Sequence, residues 1–152
     1  MEEPRTLRVF TAGEAKFAVF ADEVMTIAEW REPAVLPHAP VSVLGVVSIQ
    51  GRMLTVLDLL QLLEVRRRRK GPSHILAFRG DEQLALGIDG PGETMKLEEI
   101  NENLATATEV NGQLITSVFN HRGEEIKILN VKALLPSAIL GRERRRRRFQ
   151  LQ

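Results

Sequence analysis

Residues 45–63 read GVVSIQGRMLTVLDLLQLL. Apolar residues alternate on both sides of Gly51, which predicts a strand, a tight turn and a second strand. Asp58 then has the chemistry of a helix N-cap, with Leu59, Leu60, Leu62 and Leu63 forming a short helix behind it. The same unit occurs twice. Displaced by 72 residues, the stretch lies without a gap on SVFNHRGEEIKILNVKALL, residues 117–135. Gly51 falls on Gly123, Leu57 on Leu129, Asp58 on Asn130, and Leu62-Leu63 on Leu134-Leu135. Upstream, GEAKFAVFAD lies on GDEQLALGID at a displacement of 67, pairing Gly13 with Gly80, Ala18 with Ala85 and Asp22 with Asp89. One loop insertion accounts for the change in displacement. The alternative is a pair of unrelated hairpins that share turn chemistry.

The remaining segments fit two copies of one unit, 7–63 and 74–136, joined by a basic linker over 64–73 and followed by a basic tail over 137–152. In the first copy, LRVFTAG and KFAVFAD form a hairpin at Gly13-Glu14, and EVMTIAEW is a third strand. Pro33, Pro37 and Pro40 then make REPAVLPHAP a loop. In the second, HILAFRG and EQLALGID form a hairpin, GPGETMKLEEI gives a strand and turn, and NENLATATEVNG is a polar connection. LITSVFNH and EEIKILN make the last strand pair, and NVKALL is helical up to Pro136. Roughly five short strands per copy are too few for an open sheet with a good core, so small barrels are the better solution. Two barrels side by side leave a groove between them.

With 152 residues, 43% of them hydrophobic, the chain can bury a core unaided. There is no cysteine, which excludes disulfides and thiolate metal sites and suits a reducing compartment. MEEPRTLRVF lacks the layout of a signal peptide, and no apolar run approaches the ~20 residues that span a bilayer. A cytoplasmic location is expected. Net charge is +1, but eleven of the 21 basic residues lie in two runs, Arg66 to Lys70 and Arg142 with Arg144 to Arg148. Without them 10 basic residues face 20 acidic ones, so a basic linker and tail are attached to an acidic body.

The order of these blocks resembles the CheW-like domain, the coupling scaffold of bacterial chemosensory arrays, over Leu7 to Pro136. LGVVSIQGRMLTVLDLLQLL is similar to that family's signature of Gly, apolar strand, turn, apolar strand and Val-Asp-Leu, with Gly45, Gly51, Asp58 and Leu59 in the matching places. LALGIDGPGETMKLEEI is similar to the second-half strand, with Asp89 in the aspartate position, and IKILNV to the closing strand. The chain departs from the pattern at Gln50, where the family has arginine, at Thr55, where it has proline, and at Thr26, Ala85 and Ser117. The resemblance implies a mostly β fold of two SH3-like five-stranded barrels on a shared hydrophobic core. It implies no catalytic activity, no cofactor and no small-molecule substrate. The implied partners are a CheA-type histidine kinase and the tip of a methyl-accepting chemoreceptor, which puts the protein at membrane-associated receptor arrays. The kinase contact is implied around Gly45, Val46, Ile49, Gln50, Gly51 and Arg52. The receptor contact is implied at Val24, Met25 and Ile27 of the third strand; for Val24 and Ile27 the alternative is an ordinary core role.

Other chemistries find little support. His38, His74 and His121 are scattered, and His121 and Glu124 straddle a hairpin turn, so no metal site is expected. GIDGPG leads into a strand and not a helix, which removes the context of a phosphate loop. Asp58 is explained as a cap and Asp89 as a turn former. No serine sits in a G-x-S-x-G elbow. The arginine runs (Arg66, Arg67, Arg68 and Arg69 in the linker; Arg144, Arg145, Arg146, Arg147 and Arg148 in the tail) are either solvated tails or contacts for anionic lipid, nucleic acid or an acidic protein surface. A small barrel protein that binds nucleic acid or anionic membrane through these runs is therefore the alternative function. With no Tyr and only 5% aromatic residues, the body offers few platforms for base stacking.

Overall fold

The alternating segments become strands. A computed structural model of the chain describes residues 5–65, 71–97, 105–106 and 114–138. In the first copy these are β1 (Thr6–Ala12), β2 (Ala15–Phe20), β3 (Val24–Glu29), β4 (Val43–Ile49) and β5 (Arg52–Asp58), closed by helix α1 (Leu59–Leu62). In the second they are β6 (His74–Phe78), β7 (Leu84–Ile88), β8 (Thr94–Lys96), the two-residue β9 (Ala105–Thr106), β10 (Ile115–His121) and β11 (Glu124–Leu129), closed by a 3-10 turn at Val131–Ala133. β9 lies within the segment expected to be only a polar connection.

Turn chemistry confirms the repeat at the level of backbone angles. Gln50 and Gly51 have φ of 51° and 77°, and Arg122 and Gly123 have 52° and 81°. Two positive φ values in a two-residue loop are the mark of the type I′ hairpin, whose twist matches that of its strands. Both hairpins also carry an irregularity at the same place, between Val43 and Gly45 in β4 and between Ile115 and Ser117 in β10. The caps differ. Asp58 accepts hydrogen bonds from the N–H groups of Leu60 (3.1 Å) and Gln61 (3.4 Å), whereas Asn130 makes no side-chain cap. Asp58→Ala should therefore cost about 1 kcal/mol in chemical denaturation, and Asn130→Ala a few tenths or less. Equal losses at the two positions would remove the capping role. Helical residues continue through Pro136 to 138, so Pro136 does not stop the helix as expected. Proline is tolerated in a first turn, where its missing N–H has no intrahelical acceptor.

The barrels do not follow the copies. One sheet has the order β8-β1-β2-β11-β10-β9, the other β3-β6-β7-β5-β4. The β1–β2 hairpin of the first copy joins the β10–β11 hairpin of the second through the parallel pair β2/β11, with Phe17 opposite Lys127. Reciprocally, β6–β7 joins β4–β5 through the parallel pair β7/β5, with Val56 opposite Ala85. The third strands are exchanged as well, β3 pairing with β6 and β8 with β1. The expected subdomain limits of 7–63 and 74–136 are thus corrected: each barrel is assembled from both copies. Neighbours in sequence need not pair when two copies present equivalent edges, because the alternation that sets which face is buried is the same for either partner.

Among the described residues, three apolar cores result. Leu7, Val9, Ala18, Met95, Phe119, Ile126 and Ile128 fill the first barrel. Val47, Ile49, Leu54, Val56, Ile75, Ala77 and Ala85 fill the second. The largest core is shared between the barrels and includes Phe10, Phe17, Leu57, Leu60, Leu76, Leu86, Leu129 and Leu134. Phe10 and Phe17 stack at 6.0 Å between ring centroids within it. Asp89, at the end of β7, ties the barrels together: its carboxylate accepts from the Gly13 N–H, and its own N–H donates to the Thr11 carbonyl at 2.8 Å. Trp30, just after β3, packs on the second barrel's core. There its ring and Pro72 close over Gly87, where an added Cβ would lie 2.9 Å from Pro72 Cγ.

Candidate functional site

The β4–β5 turn and strand β3 meet on the second barrel. Arg52 Nη2 donates to the Gly80 carbonyl at 2.7 Å, and Nη1 lies 3.8 Å from Met25 Sδ. One guanidinium therefore spans the β4–β5 turn, the β6–β7 turn and β3. It brings Arg52 and Met25, expected to serve different partners, into contact. Arg79 fixes the start of β3 from the same side, donating its backbone N–H to the Glu23 carbonyl at 2.8 Å and Nε to the Val24 carbonyl at 3.0 Å. Glu23 Oε1 accepts from the Phe20 N–H at 3.0 Å; burial nevertheless pushes the Glu23 carboxyl above its usual range.

The six residues expected around the turn divide by exposure. Gln50 and Gly51 are exposed, Arg52 and Val46 half-buried, and Gly45 and Ile49 buried. Ile49 belongs to the second barrel's core. Gly45 has φ of 145°, and a Cβ there would lie 2.4 Å from the Ala34 carbonyl oxygen. Glycine is needed here because the proline-containing loop crosses β4: the Ala34 and Val46 backbones exchange hydrogen bonds at 2.9 Å in each direction. Gly45 and Ile49 thus support the turn from within, and its surface belongs to Gln50, Gly51 and Arg52. Met53, 57% exposed on β5 opposite Ser48, extends that surface and was not among the expected residues. The signal was available: in RMLTVL, Leu54 and Val56 point inward, so Met53 and Thr55 point out. Val35, Leu36 and Val41 of the preceding loop are exposed apolar residues too.

Val24, Met25 and Ile27 are each half-buried. Val24 and Ile27 lean on the core shared by the two barrels and Met25 on the second barrel's own core. Each keeps part of its surface open on β3, an edge strand. Arg66 to Arg69 and Arg144 to Arg148 lie outside the described residues. Among the described residues no group of three or more His, Asp or Glu could hold a metal ion, and no helix is long and apolar enough to cross a membrane. His74 contacts Ser73 Oγ through Nδ1 at 2.8 Å, and His121 stands opposite Glu124 at its hairpin.

Comparison with known proteins gives a consistent result. The family model of the CheW-like domain matches residues 7–139. The chemotaxis protein CheW of Rhizobium meliloti (strain 1021) is 23% identical over 137 residues, 88% of this chain and 88% of its own length. A probable chemotaxis protein CheW of Rhizobium etli is 29% identical over 84 residues, 55% of this chain and 54% of its own. Among solved structures, the scaffolding protein TtCheW of Thermoanaerobacter tengcongensis superposes with a TM-score of 0.75 at 16% identity, covering 88% of this chain and 89% of that one.

Proposed function

This chain belongs to the CheW-like domain family of non-catalytic chemotaxis scaffolds, and on that premise we propose that it couples a methyl-accepting chemoreceptor to a CheA-type histidine kinase in the cytoplasm, at membrane-associated arrays. The observation that carries this reading is the contiguous surface of Gln50, Gly51, Arg52 and Met53 beside the half-open strand β3, inside a fold matched to the family over 7–139. Such a surface offers apolar area to bury and one positioned charge to orient a partner, as adaptor interfaces do. The turn surface takes the kinase, and Val24, Met25 and Ile27 take the receptor.

Binding to a CheA-type regulatory domain and to a receptor-tip hairpin, measured separately, tests both assignments. Met53→Asp with Gln50→Glu should weaken kinase binding at least tenfold and spare the receptor, since a charge placed in a buried apolar contact removes more than ~1.4 kcal/mol. Ile27→Ala should do the reverse, with thermal unfolding as the control for stability. Wild-type affinities in both double and single variants would remove the site assignment. Binding of neither partner by the unaltered chain would remove the coupling function.

The concentration of eleven basic residues in two runs favours a second, electrostatic contact with anionic membrane near the array. Cosedimentation with phosphatidylserine vesicles should fall steeply with salt, weaken when 142–148 are deleted, and vanish when 66–70 are also replaced by neutral residues. Retention of a nucleic-acid duplex by the same residues, without vesicle binding, would favour the nucleic-acid alternative.

A further inference from the structure

We propose that the chain behaves as two complementary polypeptides joined end to end: severed between its copies it stays one molecule, and a copy from one chain folds with the complementary copy of another. The inference goes beyond the adaptor role and does not depend on it.

The reciprocal exchange of hairpins is what carries it. A lone first copy would hold the β1–β2 and β4–β5 hairpins with the other edges of β2 and β5 bare, because the partners of those edges, β11 and β7, lie in the other copy. A lone second copy would leave β11 and β7 equally bare. An exposed, flat strand edge is a template for pairing with another chain, and here the matching template is the other copy. The interiors make the same demand. In the first barrel, Leu7, Val9 and Ala18 from one copy pack with Phe119, Ile126 and Ile128 from the other. The second barrel's core is likewise mixed, as is the core between the barrels. Neither copy retains a complete interior on its own, so the apolar burial that drives folding is available only to the pair. Polar contacts cross the same boundary: Lys16 Nζ meets Glu124 Oε2 at 2.7 Å, and Arg52 reaches Gly80. None of these contacts requires the two copies to be covalently continuous, which is the condition for exchange between chains.

The test replaces residues 66–70 of the full chain with the recognition sequence of a site-specific protease and cleaves the folded product. The two fragments should co-elute at the volume of the uncut protein, with an unchanged far-UV circular dichroism spectrum. Unfolding of the cut protein releases two fragments and its refolding becomes bimolecular, so each tenfold dilution should lower its midpoint by roughly 3–6 °C, while the uncut protein shows no such shift. Unfolding the cut protein in urea with a tagged cut copy, then refolding the mixture, should give mixed tagged and untagged pairs. Separation of the fragments in native buffer, a midpoint independent of concentration, or refolding without mixed pairs would each overturn the proposal. If the linker replacement itself prevents folding, hydrogen exchange in the unaltered chain decides. Amides of β2, β5, β7 and β11 should then open with one free energy; separate openings for 7–63 and 74–136 would refute the complementarity.

Discussion

Phe10→Ala should cost about 3–5 kcal/mol, the range for deleting a fully buried phenylalanine whose cavity cannot close. Phe10 is 0% exposed, stacks on Phe17, and belongs to the core on which both barrels rest. A domain with ~5–15 kcal/mol of total stability loses a large part of it. Because the cavity opens in the shared core, far-UV circular dichroism, which reports both barrels, and Trp30 emission, which reports the second, should fall along one transition at a lower denaturant midpoint. Phe10→Leu, which refills most of the volume, should recover more than half of the loss. A cost below ~1 kcal/mol, or one barrel unfolding while the other persists, would show that the shared core does not couple them.

Gly92→Ala is expected to be nearly as damaging, for a backbone reason. Gly92 has φ of 61°, and a Cβ there would lie 2.2 Å from the Val9 carbonyl oxygen and 2.8 Å from its carbon. The neighbouring Glu93 carbonyl accepts the Val9 N–H at 2.8 Å, so the segment cannot step back without releasing β1. The conformational part alone is of order 1 kcal/mol, and the displacement of β8 from β1 should bring the total to about 3 kcal/mol or more. Gly51→Ala isolates the first part: Gly51 has φ of 77°, and among the described residues nothing lies within 4 Å of an added Cβ. Its variant should lose only ~1 kcal/mol in the same denaturation series. Similar losses for the two variants would mean that the contact between Gly92 and Val9 is not close in solution. Gly45 belongs with Gly92, and a partner-binding defect in a Gly45 variant reports a displaced loop before it reports a lost contact.

The hairpins and their turns were legible in the sequence because alternation and Gly placement are local properties. So was the internal repeat, which Gln50-Gly51 and Arg122-Gly123 reproduce in backbone angles to within a few degrees. The exchange of hairpins was not legible. Two copies with the same alternation present the same edges, so β2 could meet either its own copy's β5 or the other's β11 without altering which residues are buried. The local pattern does not distinguish these pairings, whereas the strand order shows which one forms. The burial of Gly45 is not legible for a related reason: its need for glycine comes from Ala34, eleven positions upstream and joined to β4 through a loop crossing. The surface at Met53 is readable from strand period alone, since Leu54 and Val56 beside it point inward.

Trp30 gives the interlocked fold an optical reporter. It is the only tryptophan in a chain that has no tyrosine. It comes from the first copy, yet it closes over Gly87 with Pro72 of the following segment and donates its backbone N–H to the Ser73 carbonyl at 3.0 Å. Its emission should sit to the blue of free indole while the two copies are engaged and move red when they part. The intrinsic fluorescence of the unlabelled protein thus follows the association of one half of the molecule with the other.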